Sequence, residues 1–197
     1  MLFVTFTAAQ EIAGKQKPLR SGFYFDLSIG GAIRHLEAEH HEYNNNQYLS
    51  YTGKGGHISA RLGGIIRGTV AIYENIKLEI TSGENSGWKK DTRSTESFFF
   101  SNGPGVTVFP LSHSTGSFRN WYVGSTGNLT LGSGGDIRFF GFSATFETGF
   151  LWDTSEHYCS GIAVGTDIVG TIGLNDYDYY KEEKGYSVWI AFKIIHK

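Results

Sequence analysis

The residues with the most obvious chemical capacity crowd into one polar stretch: His35, Glu37, Glu39, His40, His41 and Glu42. Imidazoles and carboxylates are the ligands that zinc and similar ions take, so this group could hold a metal. The stretch runs on into Asn44, Asn45, Asn46 and Gln47, however, and a solvated loop explains the composition without an ion. No metal and no cofactor is expected. Ser112-His113-Ser114-Thr115 sets hydroxyls beside an imidazole, as a nucleophile and base require, but no third group stands out to orient the base. No catalytic residue is assigned. Asp176, Tyr177, Asp178, Tyr179 and Tyr180 offer acidic and aromatic groups that could bind a protein or a glycan.

These groups must sit on elements, and composition says which. The 197 residues include 27 Gly, 3 Pro and 1 Met, with 15% aromatic and 18% charged side chains, which suits strands better than helices. No Pro- or Ser-rich stretch or charge block divides the chain, so one domain is read. The net charge is −2 with scattered Lys and Arg, which gives no basic field for nucleic acid. Cys159 is the one cysteine, which excludes an internal disulfide framework. No run approaches the roughly 20 apolar residues of a membrane helix, and mean hydropathy is −0.23. A membrane β-barrel gives the same average, because only every second residue of its strands meets lipid.

Apolar residues alternate with small or charged ones at both ends of the chain. The last segment, 185–194, places Tyr186, Val188, Ile190 and Phe192 on one face; near the start, Phe23, Phe25, Leu27, Ile29 and Ile33 share another. Two such strands far apart in sequence point to a closed sheet. Period-2 reading yields eight strands, near 22–36, 57–69, 75–81, 97–109, 118–131, 139–152, 158–172 and 185–194. Long connections at 37–56, 82–96 and 173–184 and a Gly-rich one at 132–136 alternate with short ones at 70–74, 110–117 and 153–156. That rhythm belongs to an up-and-down barrel with long loops at one end, tight turns at the other, and both termini at the turn end. Residues 1–20 read as the tail of a secretory signal peptide closing near Ala9, with a polar leader from Glu11 to Arg20; residues 21–197 form the barrel.

Sorting the strands by parity puts Phe23, Ile29, Ile58, Leu62, Ile76, Ile80, Phe98, Trp121, Phe142, Phe146, Ile162, Val188 and Ile190 on one face, free of Asp, Glu, Lys and Arg. A Lys or Arg facing lipid near mid-bilayer costs about 2–4 kcal/mol, so such exclusion marks an outer wall in lipid. The opposite face gathers Asp26, Arg34, Arg61, Arg67, Lys77, Glu79, Glu147, Asp167 and Lys193 among hydroxyls, amides and glycines. Mutually neutralising charges can fill the narrow interior of an eight-stranded barrel, so these nine residues are expected to form an ionic network in a plugged lumen. Trp121, Trp152 and Tyr158 lie near strand ends, where aromatic girdles form at the membrane interfaces. The chain is expected to be a monomer.

Gly22-Phe23-Tyr24-Phe25-Asp26-Leu27-Ser28-Ile29-Gly30-Gly31, Ala71-Ile72-Tyr73-Glu74-Asn75-Ile76-Lys77-Leu78-Glu79, Gly103-Pro104-Gly105-Val106-Thr107-Val108-Phe109, residues 118–124 and the last strand together resemble the small outer-membrane β-barrel proteins of Gram-negative bacteria, the OmpA/OmpX-like group. The resemblance spans roughly 22–196 and implies an all-β fold: an eight-stranded antiparallel up-and-down transmembrane β-barrel with a polar, side-chain-filled lumen. It implies a bacterial outer-membrane location, contact with membrane lipid and lipopolysaccharide, and insertion by the barrel-assembly machinery. Members of the group commonly end in an aromatic residue, whereas this chain ends Phe192-Lys193-Ile194-Ile195-His196-Lys197. Some members modify lipids. The His-x-Ser-Asn element of lipid A deacylases is not reproduced, since Thr115 and Gly116 stand where Ser and Asn would. The function implied is non-enzymatic: membrane integrity or adhesion, with external loops free to meet a surface protein or glycan. A lipid-modifying barrel enzyme, a small diffusion pore, and a soluble secreted β-sandwich that binds carbohydrate at Trp121 or Trp152 are the rivals.

Overall fold

The structure, a computed structural model, describes residues 22–42, 45–86, 94–112, 120–134, 137–155, 157–172 and 181–196. Eight strands follow one another: β1 (Gly22–Glu42), β2 (Asn45–Ile66), β3 (Val70–Ser86), β4 (Ser94–Val108), β5 (Trp121–Gly134), β6 (Ile137–Asp153), β7 (Tyr158–Ile172) and β8 (Lys181–His196). Each pairs antiparallel with the next and β8 closes on β1, giving an eight-stranded up-and-down barrel. The closing ladder runs from Phe25↔His196 to His40↔Lys181, so no sheet edge remains within the wall.

The register fixes the slope of the strands. A line of paired residues that leaves β1 at Leu27 passes Ala60, Ile76, Asn102, Leu129, Phe142, Gly170 and Lys184, and returns to β1 at Glu37, ten residues further on. A stagger of that size in eight strands corresponds to a tilt of about 40°.

Alternation sends one set of side chains outward and the other inward. Phe23, Ile29, Ile58, Leu62, Ile76, Phe142, Ile162, Val188 and Ile190 are exposed on the outer wall, while Asp26, Arg34, Arg61, Lys77, Glu79, Glu147, Asp167 and Lys193 are buried in the lumen. An exposed apolar belt around a buried charged interior is the inverse of a soluble β-sandwich and fits a barrel whose solvent is lipid. Trp121, Trp152 and Tyr158 are exposed near the turn end, where an interface girdle belongs.

The strands differ from the sequence reading at their ends. Much of the expected loop 37–56 is a paired hairpin, with β1 and β2 in register from Glu37↔Ser50 to Glu42↔Asn45. Likewise β3 continues to Ser86, β4 starts at Ser94, β5 reaches Gly134 and β8 starts at Lys181. Apolar alternation reports contact with lipid, whereas backbone pairing needs only a partner strand. Above the membrane the ladder continues after the alternation has stopped.

At the other end, the expected connection 70–74 belongs to β3. The turn is Arg67-Gly68-Thr69 instead, where the Thr69 amide donates to the Ile66 carbonyl at 3.0 Å and Arg67 and Gly68 have φ of 50° and 66°. Two expectations are corrected by this shift. Arg67 is exposed on the turn rather than buried in the lumen, and Glu74 faces outward on β3, so the outer wall is not free of charge.

Candidate functional site

The lumen is filled in three layers. The turn end carries an apolar stopper of Ile65, Ala71, Phe109, Leu151, Cys159 and Ile195, all buried. These inward positions lie on strand ends that the turns tie together: the Phe109 amide donates to the Thr69 carbonyl at 2.7 Å, and the Leu151 amide to the Asn120 carbonyl at 3.1 Å. The Cys159 thiol is buried in this layer. The polar lumen expected from the sequence does not include this stopper. Its signal was present in Phe109, Leu151 and Ile195, which share parity with the lumen charges.

Above the stopper, Asp26 (β1), Arg61 (β2), Glu147 (β6) and Lys193 (β8) meet in one cluster. Arg61 Nη2 donates to Glu147 Oε2 at 2.7 Å and Nη1 pairs with Asp26 Oδ2 at 3.2 Å, while Nη1 also contacts Glu147 Oε1. Lys193 Nζ lies 2.7 Å from Asp26 Oδ2 and 2.9 Å from Glu147 Oε1. Two cations and two anions cancel. Aromatic rings wall the group: the Tyr24 hydroxyl donates to Asp26 Oδ2 at 3.1 Å, the Arg61 guanidinium sits 5.0 Å from the Tyr73 ring, and Lys193 Nζ sits 5.1 Å from the Tyr122 ring.

A second neutral set lies nearer the loop end, built from Arg34 (β1), Lys77 and Glu79 (β3) and Asp167 (β7). Arg34 Nε pairs with Glu79 Oε1 at 2.5 Å, Lys77 Nζ is 3.6 Å from Glu79 Oε2 and contacts Asp167, and the Ser187 hydroxyl donates to Glu79 at 3.1 Å. The Arg34 guanidinium lies 3.5 Å over the Phe99 ring. His57 and Trp189 pack edge to face at 4.7 Å beside Lys77.

A hydrogen-bond chain joins the two sets. Arg61 donates to Asn75, Asn75 to Asn128, Asn128 to Thr145 and Thr145 to Asp167, at 3.3, 3.2, 3.3 and 2.6 Å. Hydroxyls complete the top, with Tyr51 to Thr81 at 2.9 Å and Thr81 to Ser97 at 2.6 Å. Eight of the nine expected network residues are therefore brought together in two sets of four, and Arg67 belongs to neither. The amides that bridge the sets carry no charge and gave the sequence reading no reason to pick them out.

The other candidates fare differently. His35 lies on the outer face of β1, with Nδ1 2.9 Å from the Thr52 hydroxyl and Nε2 3.4 Å from Glu37, and its ring tilts against Tyr186 at 5.4 Å. Among the described residues no three His, Cys, Asp or Glu side chains gather as metal ligands. The side chains of Glu39, His40, His41 and Glu42 lie outside the described residues, as do His113 and the loop cluster from Asp176 to Tyr180. Residues 1–20 lie outside them too. Ser112 is buried, its hydroxyl 3.5 Å from that of Thr69.

Among the described residues β1 and β2 pair as far as Glu42↔Asn45 and β8 follows β1 to His40, while the β4–β5 ladder is described as far as Ser97↔Gly134. Among the described residues the β1–β2 hairpin therefore reaches furthest above the apolar belt.

No protein-family model and no curated protein matches this sequence. Among solved structures, the crystal structure of Neisserial surface protein A aligns with a TM-score of 0.53 over 90% of this chain and 98% of that one, at 14% identity. The outer membrane protein AlkL in lipid bilayers gives 0.52 over 93% and 94%, at 15% identity. The outer membrane protein OprG from Pseudomonas aeruginosa gives 0.50 over 92% and 98%, at 8% identity. At these identities the likeness is one of fold, and the fold is that of small outer-membrane β-barrels.

Proposed function

We propose, taking the small outer-membrane barrel fold as premise, that this protein is a non-enzymatic surface component of a bacterial outer membrane, working through its rim rather than through its interior. The observation that carries the reading is the filled lumen. Two neutral ionic sets, a bridging amide chain and an apolar stopper occupy the lumen, which counts against the pore. The exposed apolar belt counts against the soluble sugar-binding sandwich, because it would be stranded in water. The belt meets membrane lipid, the polar rim residues meet lipopolysaccharide headgroups, and the barrel-assembly machinery inserts the chain. A surface protein or glycan is the partner of the β1–β2 hairpin.

Two measurements test this. Refolded protein in planar bilayers should show no stable single-channel steps; reproducible steps would restore the pore. Cells displaying the chain should adhere to a deposited extracellular matrix, and cells displaying a form in which residues 38–49 are replaced by a two-residue turn should not. Equal adherence by the two would sink the surface role.

A further inference from the structure

We propose that the outer wall around Glu74 is a docking surface for a second copy of this chain. Glu74 faces outward on β3 between Ile72 and Ile76, which are 55% and 47% exposed, with Leu62 of β2 and Pro104 of β4 paired on either side of it. Exposed Ile66 and Val106 lie nearer the turn end and exposed Ile80 lies nearer the rim, so the carboxyl stands inside the apolar belt. Among the described residues no side chain pairs with it. An ionisable group set in a lipid-facing wall calls for a partner from outside its own chain.

A second polar group shares this wall. Asn102 on β4 pairs with Ile76 and stands one diagonal step from Glu74. With a strand tilt of about 40° and a rise of about 3.3 Å per residue, that step runs nearly parallel to the barrel axis, so Asn102 sits about 8 Å above Glu74. Its Nδ2 donates to the Asn75 carbonyl at 3.2 Å, leaving one N–H and the amide oxygen for another partner. The surrounding relief is low. Ala60 and Gly64 on β2, Pro104 on β4 and Gly127 on β5 are small or flat, and a Cβ added at Gly127 would meet nothing within 4 Å. Close approach of two walls is what small residues allow in lipid.

The occupant follows from the symmetry of these groups. Copies in one membrane share an orientation, so a two-fold axis along the membrane normal brings residues of equal height together. Glu74 then meets Glu74 and Asn102 meets Asn102. Two facing carboxyls and two facing carboxamides can each hydrogen-bond to their own kind. The expected monomer gives way on this surface.

The test uses the full chain refolded in detergent and then in lipid vesicles. Sedimentation equilibrium should find a dimer whose dissociation constant rises at least tenfold in Glu74→Leu, rises less in Glu74→Gln, whose carboxamide can still pair with its own kind, and stays unchanged in Thr166→Leu on the far wall. With Cys159 replaced by Ser, Ile76→Cys should cross-link on oxidation and Val188→Cys should not. A monomer at every protein-to-lipid ratio would overturn the proposal, leaving Glu74 to a lipid amine or another protein. A dimer as strong in Glu74→Leu would overturn it equally. Heat-shifted gel migration of each variant reports that the barrel has formed, so a folding failure is not mistaken for lost docking.

Discussion

At the scale of single residues, the lumen charges stand or fall as groups. Arg61 holds two carboxylates, Asp26 and Glu147, and also hydrogen-bonds Asn75 at the start of the bridge to the second set. Its substitution by Met leaves two buried anions to one cation, Lys193. Loss of one partner from a buried ionic set costs about 3–5 kcal/mol, so Arg61→Met should lower the urea midpoint of vesicle-bound protein, followed by tryptophan fluorescence, by that equivalent. An unchanged midpoint would mean that the set adds nothing to stability. The inward parity of Asp26, Arg61, Glu147 and Lys193 was legible in the sequence because a carboxylate or guanidinium excluded from lipid has one other place to go. Which cation meets which anion was not legible, since partners lie on strands far apart in the chain and their heights depend on a register that parity leaves open.

At the scale of elements, the β2–β3 turn is the place where local preference yields to the sheet. Two central residues with positive φ, Arg67 at 50° and Gly68 at 66°, follow the pattern of a tight type I′ hairpin. Arg has no side-chain means of easing the left-handed region, which costs an ordinary residue about 1–2 kcal/mol, whereas Asn visits it readily. Arg67→Asn should therefore stabilise the barrel by about 0.5–1 kcal/mol, read as a higher urea midpoint. The eight strands and their order could be read from alternation. Their ends could not, because the signal is contact with lipid: it fades above the belt at Glu37 although β1 goes on to Glu42. The same blindness explains the turn, since Val70-Ala71-Ile72-Tyr73 mixes an inward stopper with an outward wall and does not advertise which is which. Pro104 is tolerated inside β4 because the β4–β5 ladder passes from Asn102↔Leu129 to Gly105↔Thr126 without engaging it.

At the scale of the whole molecule, the outer wall needs an apolar solvent and the inner wall needs the opposite side of the barrel. The compact form should appear only in detergent or lipid, as a fast-migrating species that shifts on boiling and a β-type circular dichroism spectrum; the same species in plain buffer would contradict the lipid-facing belt. The ionic sets carry one more implication. The first joins β1, β2, β6 and β8, so it is not neutral until the last strand has found the first, and the second joins β1, β3 and β7, so it is not neutral until β7 has come round to face β1 and β3. A one-residue slip of β8 would turn Lys193 toward lipid and bring Phe192 inside, leaving the two anions Asp26 and Glu147 to the single cation Arg61. The seam thus works as a proofreader: a barrel that closes in the wrong frame is left electrically unbalanced and is pushed back open, so the charges that plug the finished molecule also select the one alignment in which it can be finished.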